Sequence, residues 1–240
     1  MALLWSLLFV DPLIILSTIV HGSLSMVQAI FDPSGRQSLK VARAWARSLL
    51  AIARAKVTVE GLENIDPEGS YVFASNHLSY MDTPSVLSRI PVQFRFLAKA
   101  GLFQIPFLGW HLKTAGHIPV PREDPRAAVR TLSLAAETIR NRGISLLIFP
   151  EGGRSPDGVL QEFKDGAAYI AIKAHVPLVP IAIIGTREIL AMGSSTFRSG
   201  KVRIRIGEPI PTTGLALPAR RELTQTVGAR IEAMIAAMIG

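Results

Sequence analysis

Asp124-Pro-Arg-Ala-Ala-Val-Arg-Thr-Leu-Ser-Leu-Ala-Ala-Glu-Thr-Ile-Arg-Asn-Arg-Gly143, followed at once by Ile144-Ser-Leu-Leu-Ile-Phe149, is the stretch on which the fold turns. Asp124 is a helix-capping side chain, and Pro125 is favoured at the first helical position. Ala128, Leu132, Ala135 and Ile139 then recur every three or four residues, and Gly143 is a residue that ends helices. The run 144–149 is apolar nearly throughout, as expected of a strand covered on both faces. A helix that hands over to such a strand belongs to a layered α/β fold.

Outward from this unit the pattern repeats. Residues 57–60, 71–75 and 94–97 are short β-type runs, and 178–184 is apolar like 144–149. Lys201-Val-Arg-Ile-Arg-Ile206 alternates and reads as an edge strand with one wet face. Residues 219–238 form a closing helix with Leu223, Val227, Ile231, Met234 and Met238 on one side. The expected fold class is α/β, a mixed sheet flanked by helices, with no internal repeat.

The amino-terminal end differs. Up to Phe31 the only charged side chain is Asp11. Asp11-Pro12 reads as the start of a helix that runs to Phe31, close to the ~20 residues needed to cross a bilayer. His21, Gly22 and several serines weaken the spanning reading and leave a re-entrant hairpin as an alternative. After the turn Asp32-Pro33-Ser34-Gly35, a second helix is expected over 36–56. Arg36, Lys40, Arg43, Arg47 and Arg54 fall along one line of it, opposite Val41, Trp45, Leu49 and Ile52. This pattern fits a membrane interface, with the cations on anionic lipid headgroups. The expected division is 1–56, a membrane-embedded or interfacial helical hairpin, and 57–240, a catalytic domain. The basic helix after the apolar one points to the cytoplasmic face of a membrane for the rest of the chain.

Composition narrows the chemistry. The 240 residues suffice for one good-sized core, 49% are hydrophobic and only 18% charged. A net charge of +8 calls for an anionic partner, which lipid, phosphorylated substrate and nucleic acid would all satisfy. Nucleic acid is disfavoured because the cations lack interleaved aromatic residues for stacking bases. With no cysteine, disulfides, thiolate metal sites and a cysteine nucleophile are excluded. His111, His117 and His175 match no metal-ligand spacing, so no metal is expected.

One histidine follows a strand-like run directly, in Asn76-His-Leu-Ser-Tyr-Met-Asp82. Turn-prone Ser79 and the helix start Asp82-Thr83-Pro84 allow the chain to fold back, so that Asp82 meets the ring of His77. A carboxylate on one imidazole nitrogen fixes the tautomer and leaves the other nitrogen to take a proton. A histidine followed by an aspartate is more often structural than catalytic, so the pair alone decides little.

The run Asn76-His77-x-x-x-x-Asp82 resembles the first signature of the glycerolipid acyltransferases of the 1-acylglycerol-3-phosphate acyltransferase type. Lys99-Ala-Gly-Leu-Phe-Gln-Ile-Pro106-Phe-Leu-Gly109-Trp110 is similar to the second. Phe149-Pro150-Glu151-Gly152-Gly153-Arg154-Ser155 is similar to the third, and Val176-Pro177-Leu178-Val179-Pro180-Ile181 to the fourth. The resemblance covers about residues 57–210 and implies a membrane enzyme of phospholipid biosynthesis. In it, His77, oriented by Asp82, deprotonates the sn-2 hydroxyl of lysophosphatidic acid. That hydroxyl attacks the thioester of acyl-CoA or acyl-carrier protein and yields phosphatidic acid, with no other cofactor.

The resemblance further implies that Glu151, Gly152 and Arg154 bind the acceptor, with Lys99 as a second phosphate ligand. Arg122 and Lys164 are further cations where the family often has them. Asn76 and Ser79 are expected to shape the turn rather than touch substrate. Gly153 departs from the pattern, which usually has a hydroxyl residue there, and this bears on the acceptor. Alternative acceptors are lyso-ornithine lipid and lysophosphatidylglycerol; a non-catalytic anionic-lipid-binding protein is the alternative from a different class. The expected location is a bacterial inner membrane.

Overall fold

The computed structural model describes residues 2–32, 35–121 and 124–240. Its amino-terminal helix starts earlier than Asp11. α1 (Ala2–Trp5) continues through a π-helical turn, Ser6–Val10, into α2 (Asp11–Phe31), and both Val10 and Asp11 have right-handed helical dihedrals. Asp11-Pro12 therefore starts no helix. A proline inside a helix lacks an N–H and crowds the carbonyl four residues back. The wider turn just before Pro12 opens the backbone where that clash would fall.

The polar residues that weaken α2 as a spanning segment face the rest of the protein. Ser6 and Ser25 are fully buried. The Ser6 hydroxyl accepts from Phe197 N (2.8 Å), and Ser25 Oγ lies 2.7 Å from His111 Nδ1. The Trp45 indole donates to Thr18 (3.1 Å), and Ser17 Oγ meets Ser48 Oγ at 2.6 Å. The opposite side is apolar and open, with Leu8, Ile15, Leu16, Val20 and Val27 among its exposed side chains. Leu3–Gln28 is long and apolar enough to cross a membrane, and only 11% of its most apolar part is buried. A core helix would be buried; this one is a candidate for membrane association.

α3 (Arg36–Ile52) ends before the expected Lys56, because Arg54 takes a left-handed conformation (φ 53) and Ala55–Glu60 is already β1. Arg36, Lys40, Arg47 and Arg54 are exposed. Arg43 departs from the expected lipid-facing line. It reaches across to α4 (Asp82–Arg89) and donates to the carbonyls of Ile90, Pro91 and Val92 at 2.7, 2.7 and 2.9 Å. Carbonyls at a helix end lack intrahelical partners and carry partial negative charge, which suits a guanidinium. Leu39, Ala42, Ala46 and Leu50 of α3 share one core with Phe73, Phe94 and Ile183. α3 thus packs in the same core as the sheet, and the stretch up to Asp32 lies against it.

Seven strands form the sheet among the described residues, in the order β1-β7-β6-β2-β5-β3-β4. They are β1, β2 (Val72–Ser75), β3 (Phe94–Lys99), β4 (Ile118–Val120), β5 (Ser145–Ile148), β6 (Leu178–Ile184) and β7 (Gly200–Ile206). Neighbours are parallel except β6 and β7, so the sheet is mixed as expected. β7 is not an edge strand: it lies between β1 and β6. Its alternation reports one wet face, and an alternating pattern says nothing about neighbours in the hydrogen-bonding direction. α3 and α4 pack on one face of the sheet. α6 (Pro125–Arg142), α7 (Gly166–Ala174) and α9 (Arg220–Ile239) cover the other. Asp124 caps α6 through Arg126 N and Ala127 N, and Gly143 ends it in the left-handed region. α5 (Leu108–Thr114) follows β3, and α8 (Thr186–Ile189) follows β6.

α5 joins α2 to the sheet through His111. Burial, and then Arg95, lower its pKa from 6.5 to about 4. A base depressed in the folded state adds stability above its unfolded value and loses it as pH falls towards the folded one. Stability should therefore drop between pH 6.5 and about 4, with a component that His111→Gln removes. Denaturant unfolding across that range tests this; identical acid limbs in the two proteins would exclude His111 as the group.

Candidate active site

The carboxy-terminal ends of β2, β5, β3 and β6 lie on one rim of the sheet, since these strands run parallel. β2 pairs with β6 as far as Ser75 and Ile181. Beyond that, the side chain of Asn76 continues the ladder: its Nδ2 donates to Ile183 O and its Oδ1 accepts from Ile183 N, both at 2.8 Å. His77 follows, so the splice fixes where its backbone leaves the sheet. Ser79 donates to Leu190 O (2.6 Å) and accepts from Met81 N (3.1 Å), which closes the turn into α4. Asn76 and Ser79 shape the turn, as the sequence suggests.

Asp82 is fully buried, and its Oδ2 gathers three contacts: His77 Nδ1 at 2.7 Å, Leu78 N at 2.6 Å and Ser79 N at 2.8 Å. An oxygen that accepts two backbone N–H groups meets the ring as an acceptor, so Nδ1 carries the proton and Nε2 presents a lone pair. No protein group among the described residues bonds Nε2, and the His77 side chain keeps 18% of its exposure. Phe149 stacks on the imidazole with centroids 4.0 Å apart and planes 15° from parallel. The ring is thus held by its edge and by one face.

The third signature loop follows β5, next to β2. Glu151 is buried there. Its Oε1 accepts from His77 N (2.6 Å) and its Oε2 from Gln161 N (3.0 Å), while Ser155 N donates to His77 O (2.8 Å). Burial pushes the Glu151 carboxyl above the ordinary glutamate range, against the two backbone donors that pull it down. The structure gives Glu151 a scaffolding task, in which each oxygen holds a backbone amide of the site. Gly152 has φ +75, a conformation that favours glycine, and a Cβ there would meet the mobile end of Lys164, Nζ at 2.8 Å. The Lys164 ammonium therefore lies against this loop, and its backbone N donates to Pro150 O at 3.0 Å. A Cβ at Gly153 would meet nothing within 4 Å.

Arg154 differs from every neighbour. It makes no hydrogen bond and no ion pair among the described residues; its guanidinium carbon sits 3.5 Å from the centroid of the Tyr80 ring. Its Nη1 is buried without a partner. Lys99 is exposed at the end of β3, two strands from β2 on the same rim. Arg122 lies outside the described residues. His77, Asp82, Glu151, Gly152, Arg154 and Lys164 thus meet in one loop assembly, and Lys99 stands apart from it. Sequence reading missed Phe149 and Tyr80 as supports, although both sit inside quoted signatures.

The sequence matches the family described as Acyltransferase over residues 56–184. It is 39% identical over 184 residues to a chloroplastic 1-acyl-sn-glycerol-3-phosphate acyltransferase of Arabidopsis thaliana, covering 75% of this chain and 51% of that one. It is 29% identical over 179 residues to 1-acyl-sn-glycerol-3-phosphate acyltransferase alpha of Bos taurus, covering 75% and 62%. The chain spans about half the length of the curated relatives it matches first. The crystal structure of the 1-acyl-sn-glycerophosphate acyltransferase PlsC from Thermotoga maritima superposes with a TM-score of 0.86 at 28% identity, covering 100% of this chain and 96% of that one.

Asp82→Asn should leave the fold in place and offer the ring an amide that no longer selects the Nδ1–H tautomer. Loss of general-base assistance then lowers kcat for the acyl transfer expected from the sequence by about 10²–10⁴-fold, with the acceptor KM little changed. Steady-state kinetics of the purified variant checks this. Wild-type turnover would remove the pair from the chemistry.

Proposed function

Because the chain belongs to the acyltransferase family, we propose that it transfers an acyl group from a thioester to the sn-2 hydroxyl of 1-acylglycerol-3-phosphate, giving phosphatidic acid. The observation that carries this reading is a His77–Asp82 pair and an arginine without an anionic partner among the described residues, on one pair of loops. The base accounts for the reaction and the arginine for a phosphorylated acceptor.

In the proposed reaction the acceptor hydroxyl gives its proton to His77 Nε2 as its oxygen bonds to the thioester carbonyl carbon. Asp82 stabilises the imidazolium that forms. The tetrahedral intermediate then collapses with cleavage of the C–S bond. The imidazolium returns its proton to the departing thiolate, so the base ends as it began. No acyl-enzyme is required, in keeping with a chain that has no cysteine. Acyl-CoA or acyl-carrier protein serves as co-substrate and no further cofactor is needed. Arg154 takes the acceptor phosphate, with Lys164, Lys99 and Arg122 as further cations for it and Glu151 and Gly152 shaping the loop that binds it.

The same proposal puts the enzyme on a membrane, at the cytoplasmic face of a bacterial inner membrane. Its support is the open apolar side of α2 and the exposed cations of α3, which favour anionic lipid. High-salt washing without detergent should leave the protein in the membrane fraction, whereas a purely electrostatic binder would wash off.

A purified-enzyme assay with defined lipids tests the acceptor. Lysophosphatidic acid should be preferred to lyso-ornithine lipid, and Arg154→Ala should raise its KM by about 10–100-fold, the scale of a lost charged hydrogen bond. If a phosphate-free lysolipid outcompetes lysophosphatidic acid in the wild type, the acceptor assignment fails.

A further inference from the structure

We propose that Tyr80 is the positioning residue for acceptor recognition: by stacking on Arg154 it holds the guanidinium ready for the lysolipid phosphate, and so sets the preference for phosphorylated acceptors. This rests on the reading of Arg154 given above.

The argument begins with what Arg154 lacks. A long, charged side chain is ordinarily placed by carboxylates or carbonyls, and Arg154 meets neither among the described residues. It lies instead on the face of Tyr80, with the ring centroid 3.5 Å from the guanidinium carbon. The two residues before it, Gly152 and Gly153, have no side chain to brace it, and its Nη1 is buried without a partner.

Tyr80, by contrast, is mounted firmly. It lies between Ser79, whose N–H donates to Asp82 and whose hydroxyl donates to Leu190 O, and Met81, which is buried and donates to Ser79 Oγ. Its side chain is not a core element, since Tyr80 is 62% exposed. A large aromatic ring in that position buries little of itself; what it does is cover one face of a cation. A stacked guanidinium keeps its N–H edge, which is the part that forms paired bonds to phosphate. The turn that positions the His77–Asp82 pair therefore also carries the support of the phosphate ligand. The distance between base and phosphate site is set within a single turn.

Steady-state kinetics of the full chain tests this, with lysophosphatidic acid and the phosphate-free 1-acylglycerol as acceptors. Tyr80→Leu should raise the KM for lysophosphatidic acid by about 2- to 30-fold, the range of cation–π contacts. Its kcat and the kinetics with 1-acylglycerol should hardly move. Tyr80→Phe and Tyr80→Trp keep a ring face and should retain the wild-type KM. In an Arg154→Ala background, Tyr80→Leu should add nothing further. An equal effect of Tyr80→Leu in that background would place its action elsewhere and overturn the proposal. So would a kcat loss that Tyr80→Trp fails to restore, which would mark Tyr80 as a support of the catalytic turn alone. A raised KM in Arg154→Ala beside an unchanged one in Tyr80→Leu overturns only this inference. An unchanged KM in Arg154→Ala overturns the phosphate-site reading, and this inference with it.

Discussion

One carboxylate oxygen, Asp82 Oδ2, sets the shape on which the site depends. It is buried, and N–H groups replace its water, while the other oxygen, Oδ1, is buried without a partner among the described residues. Two of its donors are the backbone amides of Leu78 and Ser79, inside the turn that the carboxylate closes; the third is His77 itself. This explains the spacing of the pair. Four residues between histidine and aspartate are enough to leave the strand, present two amides inward and begin α4. A closer pair would have no turn to supply those amides. The contact that orients the base is therefore inseparable from the contacts that fold the loop.

Three neighbouring strands converge on the same short segment. β6 grips Asn76 through Ile183, β2 carries His77, and the loop after β5 clamps His77 N with Glu151 and His77 O with Ser155 N. An imidazole held at its backbone, its ring edge and its ring face would, as the proposed base, reorganise little when charge develops, and such preorganisation is where much catalytic stabilisation arises. It also gives Glu151 and Arg154 different work within one signature. The glutamate has backbone partners on both oxygens; the arginine has no hydrogen-bond partner among the described residues.

Much of the framework was legible in the sequence because its signals are local. The capped helix ending at Gly143 and the apolar run after it became α6 and β5 with ends shifted by a residue or so. His77 and Asp82 were legible as a pair because a five-residue separation lets a short turn bring them together, and the turn's own amides, Leu78 N and Ser79 N, complete the contact. The misreadings concern residues whose fate is decided at long range. Asp11-Pro12 has the local form of a helix start, but a π-turn lets the helix pass through it. Arg43 fits a line of interfacial cations until α4 ends within its reach, 47 residues away in sequence. The alternation of 201–206 gives a wet face correctly and cannot reveal that β1 pairs on the far side. The hold of Glu151 on His77 N, 74 residues distant, is likewise a long-range contact that no local pattern announces.

The amino-terminal helix turns the usual amphipathic rule around, and this bears on how a lipid would reach the base. In a soluble protein the apolar side of a surface helix packs inward; in α2 it faces out, while Ser17, Thr18 and Ser25, with Ser6 of the preceding turn, face in. Small polar residues permit close helix contact and hydrogen bonds across it, so the residues that make α2 a poor spanning segment by composition are those that dock it. Its partner α3 is no detachable tether, because Leu39, Ala42, Ala46 and Leu50 lie in the core with β2 and β3. α2 is fastened to α3 by the Trp45–Thr18 and Ser17–Ser48 contacts and to α5 by Ser25–His111. The apolar face and His77 thus belong to one packed body. If α2 lies in lipid as proposed, the height and tilt of the base above the bilayer follow from side-chain packing, and the acceptor need not leave the membrane surface to meet it.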